Sequence, residues 1–491
     1  MSRAGETPPT IGEPRQLVQA LLAGFPAEVP VQAQDVAAAV AVTGRVLIVL
    51  DDDPTGTQSV ADLPVLTQWE PEDFRWALSL GAPAVYVLTN TRSLDPAEAA
   101  TRNRQVVTNA LAAADGAVLA FVSRGDSTLR GHFPLEPDVI AETLLSRAGV
   151  QTDGVVIVPA FPDAGRVTLD GVHFMLSAAD ELTPIGETEF AQDATFGFVH
   201  SRLADYVEEK SGGRLRAAAV IGLNLAVLRA GPVAIADAIE SATDATPIVV
   251  DAVTENDLRI LALGLDEAER RGKKLIYRVG PPFVRARIGQ AVREPLSAAD
   301  VFGDAAAIRA GGLIVVGSHV AMTARQLEVL NRVHSAARVV EIDVGALLES
   351  DSPDHLGQVV DRVVDELAGA DVILQTSRIL VSTTDPADSL QIARTVSAAV
   401  VAVVQRVVAR TRPRFVVAKG GITSSDVAAL GLHIRHAIVR GPMLPGIVSL
   451  WEPVDGPAAG IPYVVFAGNV GDDDSLAAVV RTLSAFGVPP A

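Results

Sequence analysis

No cysteine occurs among the 491 residues, which excludes disulfides, thiolate catalysis and thiolate metal sites. Lysine is nearly missing as well, with Lys210, Lys273, Lys274 and Lys419 the only ones present. Cationic chemistry therefore falls to arginine, whose planar fork suits bidentate binding of carboxylate and phosphate. Positive charge is in deficit overall. A formal net charge of -19 argues against a broad nucleic-acid surface and leaves room for local anion pockets. Aromatics make up 4% of the chain, whereas 49% is apolar and rich in Ala and Val, as in strands packed on Ala-rich helices. No apolar run reaches the roughly 18 residues of a membrane span. The opening MSRAGETPPTIGEPR lacks the apolar stretch of a signal peptide and reads as a polar arm before a helix near 15–24. The expected location is the cytoplasm, with neither membrane nor nucleic acid as partner. The histidines show no metal-binding spacing. His132 alone sits beside a polar cluster, where a surface or capping role is the plainer expectation.

What is present is alternation. Apolar strand candidates fall at 45–50, 84–88, 117–122, 154–158, 217–222, 247–251 and 274–278, then at 312–317, 338–343, 371–375, 414–418 and 461–466. Segments at helical spacing lie between them, such as 96–114, 231–243, 256–271, 323–336 and 388–410. The pattern predicts an α/β protein of two domains, each a mainly parallel sheet covered by helices. The length is too great for one ordinary core. Pro, Ser, Asp and Gly accumulate at 290–311, so the expected division is 1–295, with 1–40 as arm and helix, and 296–491. A cleft between the two would suit a two-substrate enzyme.

The densest chemistry is LIVLDDDPTGTQSV, residues 47–60. An apolar run, Leu47 to Leu50, ends in Asp51, Asp52 and Asp53 and a turn through Pro54, Thr55, Gly56 and Thr57. Ligands of open α/β sheets bind beyond the carboxyl ends of strands. Acidic groups placed there can take a proton from a hydroxyl or meet a hydrated Mg²⁺. Three more strand ends carry polar groups: Thr89 to Arg92, then Ser123 to His132 with Asp126, Ser127 and Arg130, then Pro159 to Arg166. Arginines that clamp a carboxylate, beside Asp and Ser oxygens that suit hydroxyls, match a small polyhydroxy acid. In the second half, Gly317 and Ser318 end one strand and Lys419, Gly420, Gly421, Ile422 and Thr423 end another. Such a turn offers backbone N–H groups to phosphate, although no G-x-x-x-x-G-K-[ST] loop occurs. A last glycine cluster, FAGNVGDDDSL, holds Gly468 and Gly471, and Gly441, Pro445 and Gly446 read as turn residues.

These residues resemble the four-carbon acid sugar kinases, through DDPTG (52–56), TNTR (89–92), DSTLRG (126–131), PAFPDAGR (159–166), VGSHVAMTARQ (316–326) and KGGITSSDVA (419–428). The resemblance implies an N-terminal domain that binds a sugar acid such as threonate, erythronate or 3-oxo-tetronate, and a C-terminal domain that binds ATP. It assigns Asp52, Asp53, Thr55 and Gly56 to the leading acidic motif. Arg92, Asp126, Ser127 and Arg130 fall on the sugar-acid side. Ser318, Gly420, Gly421, Ile422, Thr423 and Gly468 fall on the ATP side. It further implies MgATP as phosphoryl donor, Asp52 or Asp53 orienting or deprotonating the attacking hydroxyl, and Arg92 or Arg130 anchoring the carboxylate. The Mg²⁺ ligands stay open, and a homodimer is one option for assembly. The chain departs from the family at Phe466 and Ala467, where Lys-Ser is usual, at Val470, where Phe is, and at Pro54, where a bulky apolar residue is common.

Two other functions compete. LIVLDDDPT also resembles the strand end of haloacid-dehalogenase-type phosphatases, with Asp51 as nucleophile and Asp53 as acid/base, but that leaves DSTLRG and KGGITS unexplained. A sugar-acid-binding regulator without catalysis would use the same first-half pocket.

Overall fold

The computed structural model describes residues 22–177, 181–303, 310–317, 320–348, 353–377, 386–468 and 470–488. The helix expected near 15–24 lies mostly outside them. The first half supplies β1 (Arg45–Asp51), β2 (Leu63–Leu66), β3 (Ala84–Leu88), β4 (Val118–Arg124), β5 (Gly154–Val158), β6 (Arg166–Leu169), β7 (Val172–Leu176), β8 (Leu182–Pro184), β9 (Ile221–Leu223), β10 (Thr246–Val250) and β11 (Leu275–Val279). The second supplies β12 (Leu313–Val316), β13 (Arg338–Ile342), β14 (Val372–Thr376), β15 (Val416–Lys419), β16 (His436–Leu444), β17 (Ile447–Pro453) and β18 (Tyr463–Phe466). Helices such as Pro96–Ala113, Glu255–Arg270, Ala321–Val333 and Pro386–Val408 cross between strands. No helix among the described residues is long and apolar enough to cross a membrane.

The apolar runs are continuous because the strands are buried on both faces. In β1, Leu47 and Val49 pack into one core and Ile48 and Leu50 into another. In β12, Leu313 and Val315 join the same core as Leu47, while Ile314 and Val316 face a third. One face of the sheet thus runs through both halves.

The expected parallel sheets are both there, and they are fused. Among the described residues, fifteen strands form one sheet in the order β13-β14-β12-β15-β18-β17-β16-β2-β3-β1-β4-β11-β5-β10-β9, and β6-β7-β8 form a small second sheet. The hairpin β16–β17 is antiparallel to β18 on one side and to β2 on the other. Gly441, expected in a turn, instead lies inside β16 at a register shift, with φ +142°. Only Pro445 and Gly446 make the hairpin turn.

Three antiparallel pairings in a row reverse strand direction between the two parallel blocks. Sheet twist offsets much of this: five strand-to-strand steps from β18 to β1, at roughly 25° each, rotate the strand axis by about 125°. The carboxyl ends of both blocks can therefore face one cleft. Side chains tie the seam. Thr57 Oγ1 lies 2.7 Å from Ser449 Oγ and accepts from Trp451 Nε1 at 2.9 Å. Asp73 accepts from Arg435 and His436, and Trp76 stacks on His436 at 4.3 Å.

Candidate active site

A cleft of about 740 Å³ lies where the two halves meet. The first half lines it with Asp53 and Thr55 after β1, Asn90 and Arg92 after β3, Asp126 to Thr128 and Arg130 after β4, and Phe161, Asp163, Ala164 and Arg166 after β5. The second half contributes Gly317 after β12, Gly420, Gly421 and Thr423 after β15, and Ala467 and Gly468 after β18. The hairpin adds Pro445 and Ile447. Of the expected residues, Asp53, Thr55, Arg92, Asp126, Ser127 and Arg130 thus share one space with Gly420, Gly421, Thr423 and Gly468, while Asp52 and Gly56 do not line it.

The three leading aspartates have different surroundings. Asp51 is buried, accepting from Arg124 Nε and Nη2. Gly56 lies directly over that pair, and a Cβ there would collide with both groups, so glycine is required for the close approach. Asp52 is 1% exposed and takes a bidentate pair of bonds from Arg92, at 2.6 and 3.2 Å. Asp53 is the one that lines the cleft. Its Oδ1 accepts from the Thr55 N–H at 2.9 Å and Thr55 Oγ1 at 2.5 Å, while Arg92 Nη1 stands 3.6 Å from Oδ2. Burial alone would raise its pKa, but Arg92, Arg124 and the Thr55 hydrogen bonds outweigh that and hold it below the usual carboxylate value.

Asp51, Asp52 and Asp53 face two guanidiniums, Arg92 and Arg124, so the cluster carries surplus negative charge. Asp51, the most enclosed, is pushed up to about 7, first by burial and then by its two acidic neighbours, against the pull of Arg124. The folded state then holds a proton that the unfolded chain releases near pH 3.9, so stability falls as pH rises from about 4 to 7. Asp51→Asn is expected to remove that part of the decline. Melting curves at pH 5 and 8 for wild type and variant check it, and identical slopes would refute the assignment.

After β4, Asp126 Oδ2 accepts from Arg130 Nε at 2.6 Å and from Thr128 Oγ1. Arg130 also lies over the Phe190 ring at 5.1 Å. Burial opposes ionisation of Asp126, but Arg92 and Arg130 hold its pKa well below normal. The Ser127 carbonyl is bonded by His173 Nε2 at 2.8 Å, which fixes this loop from behind. His132 is neither a surface nor a cleft residue. It is buried, with Nε2 between the Thr91 and Leu94 carbonyls at 3.1 and 3.0 Å. The sequence did not point to Arg278 and Glu136, an ion pair buried beneath the cluster. The Arg278 guanidinium packs against Gly125 and Gly131, where a Cβ would clash. Arg166 was legible as a strand-end group, yet nothing in the sequence separates it from Arg92 and Arg130.

On the second half, the Gly420 N–H donates to Phe466 O at 2.8 Å, and Gly420 has φ +129°. A Cβ on Gly421 would stand 3.3 Å from Asp53 Oδ2. Gly317 abuts the Thr423 side chain, and a Cβ there would clash with it, so the two strand-end turns meet through that one side chain. The Gly468 carbonyl accepts from Thr323 Oγ1 at 3.0 Å. Ser318 lies outside the described residues, as does the side chain of Ile422. Lys419 pairs in register with Phe466. Its Nζ sits 3.8 Å from that ring and donates to Ala467 O at 2.6 Å. A buried ammonium thus occupies the strand next to Phe466, and burial pulls it down to about 7.

Residues 47–287 match a family model described as a sugar-binding N-terminal domain, and residues 313–476 one described as a nucleotide-binding C-terminal domain. The chain belongs to the four-carbon acid sugar kinase family. A D-erythronate kinase from Heliobacterium modesticaldum is 27% identical over 285 residues, 58% of this chain and 57% of that one. A D-threonate kinase from Salmonella typhimurium is 29% identical over 255 residues, 52% and 53%. The chain spans a little over half the length of these curated relatives. A crystal structure of a Salmonella typhimurium LT2 protein matches with TM-score 0.63 at 20% identity, covering 90% of this chain and 100% of that one. One from Haemophilus influenzae matches at 0.59 and 17%, covering 88% and 98%. At such identities the likeness concerns the fold.

Proposed function

We propose that this chain is an ATP-dependent kinase acting on a hydroxyl of a four-carbon sugar acid, with erythronate, threonate and 3-oxo-tetronate as candidates. The observation that carries this is the approach of Asp53, from the sugar-binding half, to Gly421, from the nucleotide-binding half, inside one cleft. A hydroxyl beside Asp53 and a γ-phosphate beside Gly420–Thr423 would then be neighbours. The hydroxyl oxygen forms the new bond to phosphorus, the bond to the ADP oxygen breaks, and the hydroxyl proton passes to Asp53. Because Asp53 is held ionised, its first role is to orient the hydroxyl, and it takes up the proton as the bond forms. Thr55 fixes its carboxylate for this task. The Gly421, Ile422 and Thr423 N–H groups, which open the helix after β15, favour the phosphates.

Mg²⁺, when bound with ATP, neutralises phosphate charge. No cluster of three potential metal ligands occurs among the described residues. Such an ion ordinarily keeps most of its waters and takes one or two carboxylates plus phosphates, and Asp53 would meet it through water. The phosphatase alternative needs Asp51 as nucleophile, and that carboxylate is sealed under Gly56 and engaged by Arg124.

The test is ADP formation from ATP and Mg²⁺ against a panel of four-carbon sugar acids, with product mass. Acid-dependent ADP and a phosphorylated acid are expected. No turnover with any acid and no ATP binding would sink the proposal, and acid binding without turnover would favour the regulator.

A further inference from the structure

Four arginines line the cleft: Arg92, Arg124, Arg130 and Arg166. Three are already committed to acids: Arg92 to Asp52 and Asp53, Arg124 to Asp51 and Asp52, and Arg130 to Asp126. Arg166 has no carboxylate partner among the described residues. Its Nη1 donates to its own loop, at Ala164 O, 2.7 Å away. Its Nε is buried without any acceptor, an omission that ordinarily costs free energy.

The backbone around Arg166 is held tightly. Phe161 and Arg166 exchange two backbone hydrogen bonds, at 2.8 and 3.0 Å, closing a six-residue loop at the end of β5. Gly165 turns that loop with φ +71°, where a Cβ would come 3.1 Å from Leu176 O. The guanidinium therefore lines the cleft from a closed loop, with Nη1 pinned and the buried Nε unpaired. A carboxylate arriving from the cleft would complete a bidentate pair on Nε and Nη2 once the side chain turns to uncover Nε. Burial lowers its pKa, partly offset by Asp126 and reinforced by Arg130, so an incoming anion would relieve a poorly solvated cation.

We propose that Arg166, and not Arg92 or Arg130, grips the carboxylate of the sugar acid. Arg92 and Arg130 then act by orienting Asp52, Asp53 and Asp126 around the hydroxyls. This assignment rests on the sugar-acid kinase reading above and deepens it: the acid end is selected by the one cleft guanidinium without a carboxylate partner among the described residues.

Calorimetric titration of sugar acid and, separately, ATP into wild type, Arg166→Gln and Arg166→Lys tests it, alongside turnover assays. Arg166→Gln is expected to weaken acid binding about 100-fold and ATP binding by less than about 3-fold. Arg166→Lys should recover part of the loss, since it keeps charge without the fork, and it provides a second folded variant should Gln not fold. Unchanged acid affinity in either variant, or an equal loss for acid and ATP, would overturn the proposal. Turnover by wild type with unaltered acid affinity in the variants would remove Arg166 alone. Acid binding that depends on Arg166 but leads to no turnover would remove the kinase reading alone.

Discussion

Asp53→Asn is expected to lower kcat about 1,000-fold, the scale of losing a positioned proton acceptor, with smaller changes in KM for acid and ATP. The carboxamide oxygen can still accept the Thr55 N–H and hydroxyl bonds that now hold Asp53, so the loop at 54–59 should keep its shape. What is lost is the negative charge facing the glycine turn and the ability to receive the hydroxyl proton. Asp52→Asn should behave differently. Asp52 is buried against Arg92 with both oxygens engaged, so its loss should appear as reduced thermal stability and a raised KM for the acid. Steady-state kinetics and melting of the two variants separate the roles. If Asp53→Asn kept kcat within about 3-fold while Asp52→Asn abolished it, the proton acceptor would be Asp52 and the cleft geometry would have misled.

That separation shows where sequence reasoning stops. The run Leu47 to Leu50 was readable as a strand because both its faces are buried, and the polar groups after four strands were readable as one lined edge. The pairing of charges was not. Asp52 meets an arginine 40 residues on and Asp51 one 73 residues on, so no local pattern tells which carboxylate is neutralised and which faces ligand. The seam was also hidden. In β2, Pro64 interrupts a four-residue strand, and in β16–β17 Gly441, Pro442, Pro445 and Gly446 look like successive turn signals. Proline and glycine are tolerated there because the hairpin carries a register shift at Val439 and Gly441. Similarly, the strand expected over 217–222 is a short helical turn followed by only Ile221–Leu223. The consequence for function is that the sugar-binding and nucleotide-binding halves share a backbone ladder, β2 with β16, and that Thr57, in the turn just after Asp53, is held by Ser449 and Trp451 of the other half.

The largest effect on stability is expected at Arg124. Its side chain is 2% exposed and serves Asp51, Asp52 and the carbonyls of Asp53 and Gly125. Arg124→Met keeps much of the volume and removes the charge, leaving three carboxylates to Arg92 alone. Removing one partner of a buried ion pair typically costs about 3–5 kcal/mol, because the remaining charge can be solvated neither by water nor by protein. The chain can relieve this by binding protons, which raises the folded-state carboxylate pKa above the unfolded value. The deficit should therefore be smaller at pH 5 than at pH 8, since stability then declines as pH rises through that window. Combining Arg124→Met with Asp51→Asn removes one of the stranded charges and should recover part of the loss, a coupling that a double-mutant cycle measures directly. Urea midpoints for the four proteins at both pH values provide the readout. Additive losses would mean that Arg124 and Asp51 do not depend on each other, and a variant within about 1 kcal/mol of wild type at pH 8 would contradict the buried-pair argument itself. Coupling would instead mean that the strand end presenting Asp53 is held in place by charge balance beneath it, so that the carboxylate exposed to substrate depends on two others that never touch it.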